Sequence, residues 1–183
     1  MLKNSTKNYG WISIIIHWLM ALSIFFMFGL GLYMVDLTYY DAWYKGSLSL
    51  HKSLGMIIFG VLIFRVFWRA FNITPNALAG KKWEQISAHW MHRGLYLSML
   101  LLMVSGYLIS TADGRAIVVF DLFNIPALPW AIKNQEDIAG EIHEYLAWLL
   151  IAMTAVHALA AIKHHFINKD DGLTRILKTN TKQ

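Results

Sequence analysis

The sequence predicts an all-α membrane protein, a four-transmembrane-helix up-down bundle, and three observations carry that expectation. The chain of 183 residues is 57% hydrophobic and only 15% charged, with eight Trp, a balance far too apolar for an ordinary soluble domain. Its apolar residues gather into the runs Trp11 to Met34, Leu54 to Phe71, His92 to Ile109 and Ile142 to Ile162. Each approaches the ~20 residues a helix needs to cross the hydrocarbon core. The connections hold the turn-forming and charged residues, and short connections place successive helices antiparallel.

With flanking turns included, the spans are expected over roughly 11–34, 51–71, 89–110 and 142–165, within one membrane domain covering residues 1–183. The segment before the first span, MLKNSTKNYGW, leads into an apolar run long enough to cross and lacks a small-residue cleavage site after it. It is expected to stay in the mature chain rather than act as a cleaved signal. VDLTYYDAWYKGS separates the first two spans and NITPNALAGKKWEQ the next two. The third connection, TADGRAIVVFDLFNIPALPWAIKNQEDIAG, is long enough to fold over the end of the bundle. INKDDGLTRILKTNTKQ reads as a polar tail, and no repeat, low-complexity tract or second domain interrupts the pattern.

Basic residues orient the bundle, because Lys and Arg near span ends are retained in the cytoplasm. Lys3, Lys7, Arg65, Arg69, Lys81, Lys82, Arg93, Lys163, Lys169, Arg175, Lys178 and Lys182 lie toward the side of the two termini. The other side keeps Lys45, Lys52, Arg115 and Lys133 beside the acids Asp36, Asp41, Asp113, Asp121, Glu136, Asp137, Glu141 and Glu144. Both termini are therefore expected in the cytoplasm. The net charge of +5 is a topology signal, and no motif points to DNA or RNA.

Topology gives each histidine a depth. His17 lies early in the first span, toward the cytoplasm, while His51 and His143 open the second and fourth spans on the outer side. His157 follows His143 by about 21 Å of helix at ~1.5 Å per residue, which returns it to the depth of His17. At 100° per residue the two imidazoles on the fourth span lie about 40° apart, on one interior seam.

Polar groups at membrane depth are costly and gather at functional sites. The chain has no Cys, so thiolate-held zinc, iron–sulfur clusters and disulfides are excluded. Two imidazoles under-fill the tetrahedral shell of zinc, and no carboxylate lies at helical spacing within the apolar core to complete it. Haem meets the count: the porphyrin supplies four nitrogens, two neutral imidazoles fill the axial positions, and the apolar macrocycle suits a bundle lined by Leu, Met and Phe. Closing both axial positions favours electron transfer over oxygen binding. A histidine-lined, haem-free transporter or sensor of a transition metal, and a structural partner without a cofactor, remain the alternatives.

The stretches IHWLMALSIFFMFGLGLYM, LHKSLGM followed by FRVFWR, AHWMHRGLYL, SGYLISTADGR and IHEYLAWLLIAMTAVHALAAIKHHF resemble, in order and spacing, the bacterial cytochrome b561 family over nearly the whole chain. The membrane cytochrome b subunits of hydrogenases and formate dehydrogenases share part of the pattern. The resemblance implies a four-helix bundle with two b-type haems. His17 and His157 would hold the cytoplasmic haem iron, and His51 and His143 the periplasmic one. It further implies electron transfer with the membrane quinone pool. Superoxide oxidases within the family make superoxide one candidate donor; an anchor subunit conducting electrons for a periplasmic redox enzyme or carrier is the other reading.

His89, His92, His164 and His165 exceed the four axial positions. His164 follows His157 by two turns and His92 begins the third span at a similar level, so these two are the quinone-site candidates, as the family resemblance also implies. His89 and His165 read as interfacial. Arg65 and Arg69, one turn apart, are placed to bind haem propionates, with cytoplasmic anchoring as the plainer alternative. On the outer side Lys52 adjoins His51, and Arg115 is the donor-side candidate, although the eight surrounding acids argue against general attraction of anions. The Trp residues lie mostly near span ends as interfacial belts, and the glycines in the spans allow close approach of a helix or a flat macrocycle. Donor, direction of transfer and oligomeric state are not legible, and a homo-oligomer stays open.

Overall fold

Four long helices dominate the chain: α1 (Trp11–Val35), α2 (Tyr44–Phe71), α3 (Lys82–Ser110) and α4 (Gln135–Phe166). Two short strands, β1 (Ile117–Val119) and β2 (Phe123–Ile125), lie between α3 and α4, and a short α5 (Gly172–Leu177) follows α4. The computed structural model describes residues 1–78, 80–130 and 132–179. Lys182, one of the basic residues counted above, lies outside them.

Each long helix is long and apolar enough to cross a membrane. Large apolar side chains such as Leu22, Phe26, Phe67, Val156 and Leu159 are exposed on the bundle's exterior, the pattern expected where lipid is the solvent. Three helices outrun the spans read from hydropathy: α2 begins at Tyr44 rather than 51, α3 at Lys82 rather than 89, and α4 at Gln135 rather than 142. An apolar run marks only the part of a helix inside hydrocarbon. Once nucleated, a helix continues through polar turns, because each added residue gains a hydrogen bond. Glu136 and Asp137 in the first turn of α4 and Lys163 in its last turn also suit the helix dipole.

The helices pack as two hairpins. α3 against α4 is the most extensive contact, α1 against α2 the next, and α2 against α3 joins the halves. The buried cluster is Ile16, Met20, Ile58, Leu62, Met99 and Leu150. Leu150, 1% exposed, lies on α4 midway in sequence between His143 and His157, so the apolar core separates the two histidine levels.

The two ends of the bundle are built differently. At the terminal end, the N-terminal segment docks on the connection after α2: Asn4 Nδ2 donates to the Ile73 carbonyl at 2.9 Å and the Asn76 N–H to the Thr6 carbonyl at 2.9 Å. The expected polar tail instead forms a cap, with Trp18 Nε1 of α1 donating to the Ile176 carbonyl of α5 at 2.8 Å and Arg175 to the Asn76 carbonyl at 2.9 Å. At the hairpin end, β1 and β2 pair antiparallel, Val119 opposite Phe123, around left-handed residues Phe120 and Asp121. Two successive positive φ values match a tight turn that follows the twist of the strands.

Candidate functional site

His51 of α2 faces His143 of α4 at the hairpin end, with ring centroids 6.3 Å apart and planes at 68°. Near the terminal end His17 of α1 faces His157 of α4 at 6.4 Å and 63°. A nitrogen–metal bond of about 2.0–2.1 Å on each side of one metal, plus roughly 1 Å from nitrogen to ring centre, puts two ligating imidazoles about 6 Å apart between centroids. A direct hydrogen bond of about 2.9 Å between imidazoles would draw the centroids to roughly 5 Å. Both pairs therefore have the wider spacing. His92 of α3 approaches His157 at 5.2 Å, the closer regime.

The hairpin-end pair is held by neutral groups. His143 Nδ1 lies 3.1 Å from the Leu102 carbonyl and 3.1 Å from Ser105 Oγ, which itself donates to Leu102 at 2.9 Å. A carbonyl can only accept, so the proton is assigned to Nδ1 and the Nε2 lone pair is left for a metal. Gly106 makes this fit: a Cβ there would stand 3.1 Å from His143 Cε1. His51 Nδ1 is buried and has no partner among the described residues.

A lid built from the third connection covers this level. Ser53, two residues after His51 and fully buried, accepts from the Phe120 N–H at 3.1 Å and donates to the Val118 carbonyl at 3.4 Å. Val119 between them is likewise fully buried. The hairpin was missed in the sequence because its strands are three residues long and its turn, Phe120-Asp121, lacks the usual glycine.

A cation stands at the terminal-end pair. Arg65 Nη2 lies 3.1 Å from His17 Nδ1, Nε donates to the Tyr96 hydroxyl at 2.9 Å, and Nη1 reaches Met20 Sδ at 3.7 Å. Guanidinium has no lone pair to offer, so Arg65 donates to His17. Tyr96 lies beneath both Arg65 and Arg69, whose guanidinium carbons are 5.5 and 5.3 Å from its ring centre. The arginine named from sequence as a propionate candidate is thus in contact with a paired histidine itself.

The two quinone candidates go to different partners, His92 to the imidazole of His157, with the ring planes at 65°, and His164 to Asp170. His164 Nδ1 meets Asp170 Oδ2 at 2.8 Å and Asn168 Nδ2 at 3.2 Å. Left-handed Lys169 turns the chain back after α4, and the Gly172 N–H donates to Asp170 Oδ1 at 2.9 Å, fixing the carboxylate. Asp170 was not singled out from sequence; its signal is the KDDG turn just past the helix end. Beside it Lys163 binds Glu84 of α3 at 2.7 Å. His89 is exposed, whereas His165 Nδ1 is buried without a partner among the described residues.

Arg115 is tied to its neighbour. Its Nε donates to Asp113 Oδ2 at 2.6 Å, and a second guanidinium nitrogen pairs with the same carboxylate while the side chain stays 85% exposed. The hydrogen bonds from Arg115 hold the Asp113 carboxyl below the usual range. The positive charge expected to face a donor is cancelled locally by a carboxylate two residues away.

The donor set suits a metal carried in a macrocycle. Each level offers two imidazoles from opposite helices at metal-spanning separation, and among the described residues no cluster of three or more His, Asp or Glu is arranged to hold a bare ion. Spanning helices with facing imidazole pairs define a membrane cytochrome of the b type. The comparisons agree: the family described as prokaryotic cytochrome b561 matches residues 8–179, and the chain belongs to it. Cytochrome b561 homolog 2 of Escherichia coli (strain K12) is 43% identical over 175 residues, which cover 95% of this chain and 93% of that protein. A protein of Yersinia pestis named "Probable superoxide oxidase CybB" is 27% identical, covering 93% and 96%. Cytochrome b561 homolog 1 of Escherichia coli (strain K12) is 25% identical over 69% of this chain and 72% of its own length. Membership makes this a multi-pass membrane cytochrome of electron transfer.

Proposed function

We propose that the chain is a single membrane domain that carries electrons between a donor at the hairpin end and the quinone pool at the terminal end, through two b-type haems. His51 and His143 would hold one, His17 and His157 the other. The observation that carries this reading is the near-identity of the two pairs, 6.3 Å and 68° against 6.4 Å and 63°, at two depths of one bundle. Haem, when bound, supplies the one-electron chemistry. The chain's residues orient it: the Leu102 carbonyl selects the His143 tautomer, and Leu150 with its apolar neighbours keeps water out between the levels.

The basic residues of the terminal end support an inner-membrane orientation with both termini in the cytoplasm and the hairpin in the periplasm. A quinone at the terminal end needs two electrons and two protons to become a quinol. His164, held through Nδ1 by Asp170, has Nε2 available for such a proton, and His92 is the second candidate. The name of the Yersinia relative makes superoxide a donor to test: each superoxide releases one electron and leaves dioxygen. The neutralised Arg115 gives no attraction for that anion, which keeps a protein donor, with this chain as its membrane anchor, as the second reading.

The test is haem stoichiometry. Reduced-minus-oxidised spectra and pyridine haemochrome assays of the purified chain should give two b haems in the wild type and about one in His51→Ala and in His157→Ala. Colourless wild-type protein after expression with ample haem would sink the reading. Reduction of a quinone analogue by superoxide, with the chain alone, separates the free-standing enzyme from the anchor subunit.

A further inference from the structure

Between α2 and α3 runs an apolar groove of about 310 Å³, walled by Leu62, Val66 and Phe67 on one side and by Tyr96, Leu97 and Leu100 on the other. Phe67, Leu97 and Leu100 are exposed, so the groove opens outward from the bundle, where lipid is the solvent. It lies where the two helix hairpins meet, along a contact less extensive than those within each hairpin.

Each wall continues into an arginine. Arg69 follows Leu62 by seven residues on α2, and Arg93 precedes Leu100 by seven on α3. Seven residues leave a helix about 20° from the same bearing and about 10 Å further along, so each arginine keeps the face of its wall and lies toward the terminal end. Arg65 bonds Tyr96 across the groove. The helices are antiparallel, so Arg69, a turn beyond Arg65, and Arg93, nearly a turn before Tyr96, come to one level.

Both guanidiniums are held over aromatic rings, Arg69 5.3 Å from the centre of Tyr96 and Arg93 5.2 Å from that of Trp90. A planar cation resting on a ring keeps its N–H edge for another partner, and that edge matches the oxygens of a phosphate. No acid takes it among the described residues, whose ion pairs are Arg115–Asp113, Lys163–Glu84 and His164–Asp170. α2 carries no acid, and Glu84, the single acid of α3, is committed to Lys163.

We infer that the α2–α3 groove is a binding site for an anionic phospholipid, its phosphate on Arg69 and Arg93 and one acyl chain laid along Leu62, Val66, Leu97 and Leu100. A basic mouth between spanning helices suits an anionic headgroup, and its unbalanced charge favours that lipid over a zwitterionic one. A quinone ring would meet one polar side chain in the walls, Tyr96, whose hydroxyl already accepts from Arg65 Nε at 2.9 Å. A second copy packed about a two-fold axis would set its own arginines against these two. The site gives the anchoring role of Arg69 a defined partner and is independent of the haem assignment.

The experiment is native mass spectrometry of the purified full chain in detergent, offered equal amounts of phosphatidylglycerol and phosphatidylcholine, with haem counted on the same samples. The wild type should retain one phosphatidylglycerol in preference to phosphatidylcholine. Arg93→Gln should weaken that preference about fivefold, and Arg69→Gln with Arg93→Gln by roughly 25-fold, as for the loss of one and of two basic residues at an anionic headgroup. Leu97→Trp, which fills the groove and keeps both arginines, should lower phosphatidylglycerol retention. Lys7→Gln, removing an exposed cation of the same end that lines neither wall, should leave it unchanged. Equal retention of the two lipids, a preference lost as much in Lys7→Gln as in Arg93→Gln, or displacement of the lipid by inorganic phosphate would overturn the inference. So would displacement by an equal amount of a quinone analogue, or chain dimers in place of bound lipid. Should Arg69→Gln lose haem, Arg93→Gln and Leu97→Trp decide: unchanged retention in both refutes the site.

Discussion

At the hairpin end, His143 gives a proton to a carbonyl, lies flush against Gly106 and is roofed by a strand pair pinned to Ser53. At the terminal end, His17 receives a proton donor from Arg65, His92 crowds the far imidazole, and the cover is helical. Two pairs of the same residue, at nearly the same separation, thus sit in surroundings of opposite character. An imidazole pair states what kind of group is held, whereas the neighbours decide how tightly it holds electrons and what reaches it. The cation-rich end also carries the His164–Asp170 pair, which the proposed function uses for protons.

The comparison breaks most severely at Gly106. Gly106→Leu would drive a side chain into the space 3.1 Å from His143 Cε1. On the two-haem reading, the hairpin-end haem should be lost and the terminal-end one kept, a halving of haem per chain in the pyridine haemochrome assay. Equal loss from both ends would show that the two levels are not independent.

Leu150→Ala tests the partition between them. Core Leu→Ala changes cost about 2–5 kcal/mol in soluble proteins. The low end applies here, since apolar surroundings in the bilayer remove most of the hydrophobic contribution and leave the packing loss. Denaturant unfolding in detergent should show that loss, with both haems bleaching together rather than one end first.

Ser53→Ala acts on one end alone. Removing the acceptor of the part-buried Phe120 N–H costs about 0.5–1.5 kcal/mol, the net worth of a typical hydrogen bond. Hydrogen exchange should rise across residues 117–125 and stay unchanged in α5 and the N-terminal segment.

Arg115→Ala should do least. The residue is exposed and bound to the adjacent loop carboxylate, so the unfolding midpoint is expected to stay unchanged and the ionic-strength dependence of electron uptake to be preserved. Because the Asp113 carboxyl is depressed, its pairing persists above the usual carboxylate range and fades only as pH falls through its lowered value. A marked loss of uptake at neutral pH would restore Arg115 as a donor-side residue and weaken the contrast between the ends.

Hydropathy and helical geometry made much of this legible in advance. The apolar runs located the four spanning helices, because hydrocarbon accepts only segments whose backbone groups are satisfied internally. The spacing of His143 and His157 placed both on one seam of α4, since a regular helix converts sequence separation directly into depth and angle. The starts of α2, α3 and α4 were not legible, as polar turns continue a helix without any hydropathic mark. Nor was α5, whose residues look like tail until Trp18 and Asn76 meet them.

What the sequence by itself determined was therefore everything that follows from one helix at a time: the spans, the basic and acidic ends, and the depth of each histidine. Only the tertiary structure decided that Arg65 contacts His17, that His92 reaches His157, that Asp170 folds back onto His164 and that Ser53 anchors the hairpin. Most of those contacts join different elements. Relative rotation and packing of helices depend on side-chain fit summed over the whole bundle, and no periodicity along one segment encodes it.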